Sequence, residues 1–398
     1  MLDRSVSAQE AAYAVADVVE TVRELSSREL KPIVRKIDAE GYYPETVLRA
    51  FGRSGAFARH LPGETPGGPD LMSAIRAMAA AGEQCLATSF CMWCQNALAW
   101  YIFASDNEEL KASLGRRVAA GEALGGTALS NPMKTLFGIE QIRLKGAPVD
   151  GGYAVRGALP YVSNLGADHY FGAVFETQDA PKRYVMAIVS CAAQGVELSG
   201  NTRFVALDGT RTFSVQMRDA IIPDAYVLAD PSDAFIKRIR AGFVLLQAGM
   251  GIGLARGCVA LMQQVKGPLG HVNKYLDVQP EHLVEELAAI EASVERLAST
   301  PFESDQGYWR AVIEAGSQSA RRPWPRRMPR CSTAVRAATS PMPPRSVGCV
   351  NPISSPSLRP PSSSSRRCSP TWRTKRTQCG PPRGEPKLPA GDSIPHRA

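Results

Sequence analysis

The sequence predicts an α+β fold in which a small β domain, residues 123–230, interrupts two helical domains, residues 1–122 and 231–320. Three observations carry this. Apolar residues recur at three- and four-residue steps as far as Gly121. Short β-prone runs separated by turn signals then replace them, and helical periodicity returns at Pro231.

The elements follow in order. Ser7 with Glu10 has the pattern of a capping box, and Val15, Val18, Val19, Val22 and Leu25 form the stripe of an amphipathic helix that Pro32 is expected to end. Pro44 opens a second helix through Val47, Leu48 and Phe51. The run from His60 to Asp70 is a turn-rich loop. Helices are predicted from Leu71 to Gln84 and from Leu86 to Ala104, and another begins at Asp106 with acids at its N-terminus and closes at Gly121. Strands are predicted at Ala123 to Leu129, Tyr153 to Val155, Tyr170 to Phe175, Tyr184 to Val189 and Phe213 to Met217. Asp150-Gly151-Gly152 and Leu207-Asp208-Gly209 are turns between them. One long apolar helix is expected from Ala234 to Gln264, and a second from Glu281 to Ser299.

Composition divides the chain a second time. The 398 residues carry a net charge of +8, but residues 321–398 hold 16 Lys and Arg against only Glu385 and Asp392. That segment also holds 16 of the 30 prolines and four of the nine cysteines. The first 320 residues have 30 Lys and Arg against 36 Asp and Glu, so they give a nucleic-acid reading no support. The opening residues lack the apolar core of a secretory signal, and the apolar stretch Cys85 to Ala104 carries Gln95 and Asn96 and reads as a buried helix. The five cysteines before residue 320 sit in apolar contexts, as reduced thiols do. Cys91 and Cys94 have CxxC spacing without a second pair, so core packing is expected of them rather than redox or metal chemistry. A cytoplasmic location, no membrane partner and no metal are the expectations.

Several strings in this order resemble the acyl-CoA dehydrogenase family of flavoproteins. The N-terminal strings are Tyr43-Pro44-Glu45 through Leu48, Gly52 and Gly55, then His60-Leu61-Pro62 and Gly67-Gly68. Ser105 through Lys111 to Gly121-Glu122 is similar to the family's approach to its β domain. Leu129-Ser130-Asn131-Pro132 stands where the family has Thr-Glu-Pro. Gly152-Tyr153, Gly157 and Tyr161-Val162-Ser163-Asn164 match the spacing of a family hallmark ending Trp-Ile-Thr/Ser-Asn. Ile222 to Leu228 resembles the domain exit, and Ala248 to Gly257 the first C-terminal helix.

This resemblance implies a helical N-terminal domain, a central β-barrel-like domain and a C-terminal helical bundle. It implies FAD as cofactor and oxidation of the CH–CH group of an acyl-CoA or related acyl thioester, in fatty acid metabolism. Electrons would pass to an electron-transfer flavoprotein, and the assembly would be a homo-oligomer, dimer or tetramer. Ser130 and the backbone of Leu129 would meet the pyrimidine side of the flavin, Ser163 its N5, and Tyr161 would pack on the ring in place of Trp. Lys266, in Lys266-Gly-Pro-Leu269-Gly270, stands for the family Arg that meets the flavin phosphate across a subunit interface. A Lys neutralises a phosphate without the bidentate fork of Arg.

The departures also carry information. Asn131 replaces Glu, and Met133 to Gly138 is bulkier than the Gly-rich run usual there. The resemblance places Phe243 where some branches carry the catalytic Glu, and the charges near it are Lys237, Arg238 and Arg240, so no catalytic residue is assigned. The alternatives are a flavin-dependent monooxygenase on the same fold and an inactive remnant lacking its last helices. The Arg/Pro/Ser-rich tail, residues 321–398, reads as disordered by composition. A shift of reading frame near residue 318 explains it best, because it begins where the family's last helices should stand; a basic arm for nucleic acid is the lesser reading. On the frameshift reading the apolar face of Leu283, Leu287, Ile290, Val294 and Leu297 is expected to be partly uncovered.

Overall fold

The computed structural model describes residues 18–64, 68–200, 204 and 206–321. Ser7, Glu10 and Val15 of the first predicted helix, and the tail from residue 322 onward, lie outside the described residues.

Helix α1, residues 18–25, does not stop at Pro32. A wide π-turn, Ser26–Leu30, and a tight 3₁₀ turn, Lys31–Ile33, carry the rod into α2, Val34–Glu40. Pro32 lacks an N–H and its ring would strike the carbonyl four residues back in a regular helix. The irregular turns give that ring room, so the proline displaces the helix without ending it.

The next helices are α3, Glu45–Arg53, α4, Leu71–Gly82, and α5, Leu86–Ala104. The Asp70 carboxylate caps α4 by accepting from Ser73 N at 2.9 Å. Then come α6, Glu108–Leu110, a π-turn at Lys111–Gly115, and α7, Arg116–Ala119. Asn107 caps α6 through Leu110 N at 2.9 Å, and Gly121 closes this stretch at φ 71°.

The β region comprises β1, Gly125–Thr127, helix α8, Ser130–Leu136, then β2, Leu144–Val149, β3, Gly152–Val162, β4, Tyr170–Thr177, and β5, Tyr184–Ser190. β6, Val196–Ser199, β7, Phe213–Pro223, and β8, Val227–Ala229, complete it. All five predicted strands are present, most of them longer than expected. β2, β6, β8 and helix α8 were not foreseen, being short or bearing polar and small residues at exposed positions.

The strands form a mixed sheet of order β6-β7-β3-β2-β4-β5-β8, with β1 parallel to β4 and β2 parallel to β4. Successive side chains of β4 and β5 point to opposite faces. Phe171, Ala173 and Phe175 of β4, with Val185, Ala187 and Val189 of β5, join Val155, Leu159, Val215 and Met217 of β3 and β7 in one core. Val174, Met186 and Ile188 face the helices instead. The sheet therefore curves over its own core on one face and presents the other to α5.

The C-terminal helices are α9, Asp233–Leu246, α10, Ala248–Gln264, α11, Lys266–Asn273, α12, Pro280–Ala298, and α13, Gln306–Arg321. The single helix expected from Ala234 to Gln264 is thus two, divided at Gln247. By length and composition, residues 233–264 form an apolar run long enough to cross a membrane, with half of its most apolar window buried inside the protein. The charges of this run are Asp233, Lys237, Arg238 and Arg240 in α9 and Arg256 in α10.

Small residues set the closest helix contact. Gly249, Gly253 and Gly257 recur every fourth residue on α10, and a Cβ at each would lie 2.8, 2.4 and 2.6 Å from the carbonyl oxygens of Ile75, Ala79 and Glu83. Those carbonyls are spaced by four as well, so one backbone ridge of α10 lies directly on α4 and the residue following it. The face of α12 expected to be uncovered is not. Leu287, Ile290, Val294 and Leu297 are buried, because α10 and α13 pack on them, and Leu283 alone is half-buried.

Candidate functional site

Helix α5 is the scaffold against which the site is built. It is buried almost end to end, which puts a premium on internal partners for its polar groups. Gln95 finds such partners. Its amide donates to Val118 O and Ala123 O, each at 2.9 Å, and its oxygen accepts from Gly125 N at 2.9 Å. One side chain thereby joins α5 to the start of β1. Tyr101 adds a hydroxyl contact of 2.7 Å to Thr127, at the other end of β1. Trp93 and Trp100 donate to the carbonyls of Phe243 and Ile239, which ties α9 to the same helix.

The turn after β1 holds the first expected residues. Leu129 is fully buried; its N–H donates to Thr127 Oγ1 at 3.2 Å and its carbonyl accepts from Met133 N at 2.9 Å. Ser130, next to it, is exposed and opens α8. Asn131 behind it is buried. Its amide donates to Glu140 Oε2 and Gln141 O, and its oxygen accepts from Arg143 N at 3.1 Å. Lys134 also donates to Glu140, at 2.8 Å. These bonds hold the Glu140 carboxyl below the ordinary carboxylate range.

The end of β3 holds the next pair. Tyr161 is 61% exposed, with its ring edge-on to Phe204 at 6.3 Å. Buried Val162 separates it from Ser163, which is half-buried and shares a 2.6 Å contact with Thr212 Oγ1. The Ser163 carbonyl would lie 2.0 Å from a Cβ on Gly126. β1 can therefore lie against residue 163 only because Gly126 has no side chain. That contact sets β1, which leads into the turn with Leu129 and Ser130, against residue 163 at the end of β3.

Asn164 locks this junction. It takes φ 63°, a left-handed conformation that asparagine tolerates better than most residues. Fully buried, it accepts from Tyr43 OH at 2.7 Å and donates to Gly125 O at 2.6 Å. Its N–H donates to Thr210 O at 2.8 Å, and its carbonyl accepts from His169 Nδ1 at 2.9 Å. A carbonyl can only accept, so His169 carries its proton on Nδ1. Burial lowers the His169 pKa and favours this neutral form. Sequence reading matched Asn164 as part of a string but saw neither Tyr43, His169 nor Thr212 as members of the site. Their partners lie up to 121 residues away, and no local spacing signals them.

Lys266 stands apart from these residues. It is exposed on α11, beside α10, and pairs with Glu281 of α12 at 2.5 Å. Phe243 is buried, its ring 5.2 Å from Trp93 and 6.2 Å from Tyr101. Cys91 and Cys94 are buried free thiols whose pKa values burial raises. Among the described residues no cluster of three metal-ligating side chains occurs. An open groove of about 710 Å³ runs past Gly166, Asp168, Cys191, Leu198, Arg211 and Phe213. It borders Thr212 on both sides in sequence, but none of the expected flavin contacts lines it.

A helical region, a curved mixed sheet and a second helical region, with hydroxyl, aromatic and amide groups gathered at the β1–α8 and β3 ends, define the acyl-CoA dehydrogenase fold. Residues 15–122 match the family described as "Acyl-CoA dehydrogenase, N-terminal domain". Benzylmalonyl-CoA dehydrogenase of Aromatoleum aromaticum strain EbN1 is 20% identical over 250 residues, and probable acyl-CoA dehydrogenase YngJ of Bacillus subtilis strain 168 is 22% identical over 255. Each match covers 61% of this chain and 65% of the relative, just under two thirds of its length. By this domain match and these relatives the chain is similar to the acyl-CoA dehydrogenases.

Solved structures share the fold. Butyryl-CoA dehydrogenase of Megasphaera elsdenii superposes with a TM-score of 0.68 at 16% identity, over 82% of this chain and 88% of that one. A glutaryl-CoA dehydrogenase of Mycobacterium smegmatis, solved in complex with FADH2, gives 0.60 at 18% identity over 81% and 84%. The methanesulfinate monooxygenase MsuC of Pseudomonas fluorescens gives 0.64 at 16% identity over 77% and 83%.

Proposed function

We propose that this protein is an FAD-dependent oxidoreductase acting on the CH–CH group of an acyl-CoA or related acyl thioester. The observation that carries this reading is the pairing of an exposed aromatic ring with a hydroxyl two residues away, Tyr161 and Ser163, at the strand end against which Gly126 of β1 lies, four residues before the exposed Ser130. These groups fit a flavin. Tyr161 offers a wall for the ring face, Ser163 a hydroxyl for N5, and Ser130 a hydroxyl for the pyrimidine edge. When bound, the flavin supplies the redox chemistry.

In this reading Leu129 serves as the buried anchor of the turn, since its N–H and carbonyl already bond within the protein. Asn131, held by Glu140, Gln141 and Arg143, keeps Ser130 at the mouth of the turn. Gly126 allows the two halves of the site to meet. Lys266 is the group for a flavin phosphate of a neighbouring copy in a homo-oligomer, with Glu281 as its partner in the single chain. An electron-transfer flavoprotein is the proposed acceptor, and the cytoplasm the proposed location.

The test is the visible spectrum of the purified chain after incubation with FAD and desalting. Retained bands near ~370 and ~450 nm, as expected of oxidised flavin, support the reading, and anaerobic loss of the ~450 nm band on adding an acyl-CoA identifies the reaction class. A colourless chain refutes it. The buried Phe243, where a carboxylate base would stand, favours a second reading: a monooxygenase, which needs no such base. Rapid reoxidation by air with oxygen incorporated into substrate would distinguish it.

A further inference from the structure

The Ser163 hydroxyl is the first member of a chain of three. Ser163 Oγ lies 2.6 Å from Thr212 Oγ1, and Thr212 Oγ1 lies 2.8 Å from Thr210 Oγ1. Thr210 in turn donates to the carbonyl of Leu207 at 2.7 Å. Each hydroxyl has one proton to give. A carbonyl gives none, so the direction of the whole chain is set at its far end. The Thr210 proton is committed to Leu207 O. Thr212 can then only donate to Thr210, and Ser163 can only donate to Thr212.

The backbone keeps these groups in register. Asn164 N donates to Thr210 O at 2.8 Å, and Leu165 N to Arg211 O at 3.2 Å, so residues 163–165 are strapped to residues 210–212. Thr210, the end that sets the direction, is buried, and Ser163 and Thr212 are half-buried.

We infer that the Leu207–Thr210–Thr212 relay turns Ser163 into a hydrogen-bond acceptor toward the cofactor, biasing the protein toward reduced flavin. This rests on the proposed contact between Ser163 and flavin N5. Oxidised flavin has a lone pair at N5 and nothing to donate there, whereas reduced flavin carries an N5–H. A Ser163 oxygen whose proton is spent on Thr212 meets the reduced form with a lone pair and the oxidised form with lone pair against lone pair. Thr212 and Thr210 are positioning residues: they act through Ser163 and are not assigned contact with the cofactor.

The experiment compares the full chain and three variants, each loaded with FAD, by midpoint potential against a reference dye. Thr212→Val keeps the side-chain shape and removes the acceptor, which frees the Ser163 proton to point at N5. The expected result is a roughly tenfold loss of preference for reduced over oxidised flavin, a potential about 30 mV lower for a two-electron couple. Thr210→Val releases the Thr212 proton toward Ser163 and should lower the potential in the same sense, which decides the matter if Thr212→Val does not fold. Thr212→Ser restores the relay and should keep the wild-type value. A wild-type chain that holds no flavin overturns the cofactor reading and this inference together. Flavin bound by all forms, with unchanged or higher potentials in both valine variants, overturns the relay alone.

Discussion

Tyr43 donates its phenolic proton to the side-chain oxygen of Asn164 over 2.7 Å, joining the turn before α3 to the residue that follows Ser163. Around this bond the Tyr43 ring also meets the Arg211 guanidinium, 4.4 Å from its centroid, and the His169 ring at 6.0 Å. The N-terminal helical region is thus keyed into the β region at the point where the proposed flavin contacts converge.

Tyr43→Phe removes that donor and leaves a buried acceptor unpaired. Loss of about 1–3 kcal/mol of stability is expected, read as a lower denaturation midpoint. Because Asn164 keeps its bond to Gly125 O, the fold should survive while FAD affinity falls. Stability lost with FAD affinity unchanged would show that the bond holds the fold without shaping the site.

Gly126→Ala should separate two consequences that usually travel together. Its Cβ would press on the Ser163 carbonyl at 2.0 Å, so the end of β3 must move. A matching clash at Gly125 would fall on Tyr170 O, at 2.0 Å. Both changes overpack and should cost about 1–3 kcal/mol or more. Only the former displaces Ser163 directly, so FAD retention should fall further in Gly126→Ala than in Gly125→Ala. Equal retention at equal stability would contradict the placement of Ser163 in the site.

Much of this architecture is legible before any coordinates. Helix α5 shows as a long apolar run, and the strands β3, β4, β5 and β7 show in their β-branched and aromatic residues. The string Tyr161 to Asn164 falls at the end of β3, where β1 lies against residue 163. What local pattern cannot show is which distant groups satisfy buried polar atoms. Gln95 binds residues 23, 28 and 30 positions away, and its three bonds have no sequence periodicity. The break at Gln247 escaped for a different reason: apolar residues continue through it, and both flanking helices bury them.

His60 makes stability depend on pH. It is fully buried, and its Nε2 proton goes to Asn96 O at 2.9 Å. Burial depresses its pKa from 6.5 to about 4. The unfolded chain therefore takes up a proton that the folded chain refuses between pH 6.5 and 4. The neutral histidine costs nothing above pH 6.5, and stability falls as pH drops through that window, by about 3 kcal/mol in the limit. Denaturation midpoints measured from pH 7 to pH 4 should show this slope, and His60→Gln should flatten it. An unchanged slope in the variant would assign the pH dependence to other groups.

Installing a carboxylate at Phe243 should not create a catalytic base. Family resemblance puts a base at this position in some branches, but here the ring lies between Trp93 and Tyr101 and the backbone carbonyl accepts from Trp93 Nε1 at 3.3 Å. Of the nearby cations, Arg238 lies over Phe302 and near Asp106, Arg240 lies over Trp309, and Lys237 is exposed. A glutamate in this place would lose the ring's packing and bury a carboxyl with no cation beside it. A cost of roughly 3–5 kcal/mol follows from the lost aromatic packing alone, and desolvation would favour the protonated acid, which cannot take a proton from substrate. Phe243→Glu is therefore expected to lower the denaturation midpoint and to leave the rate of anaerobic flavin reduction by acyl-CoA no higher than in the wild type. A gain in that rate would mean that position 243 faces substrate, and that this chain lacks only its base.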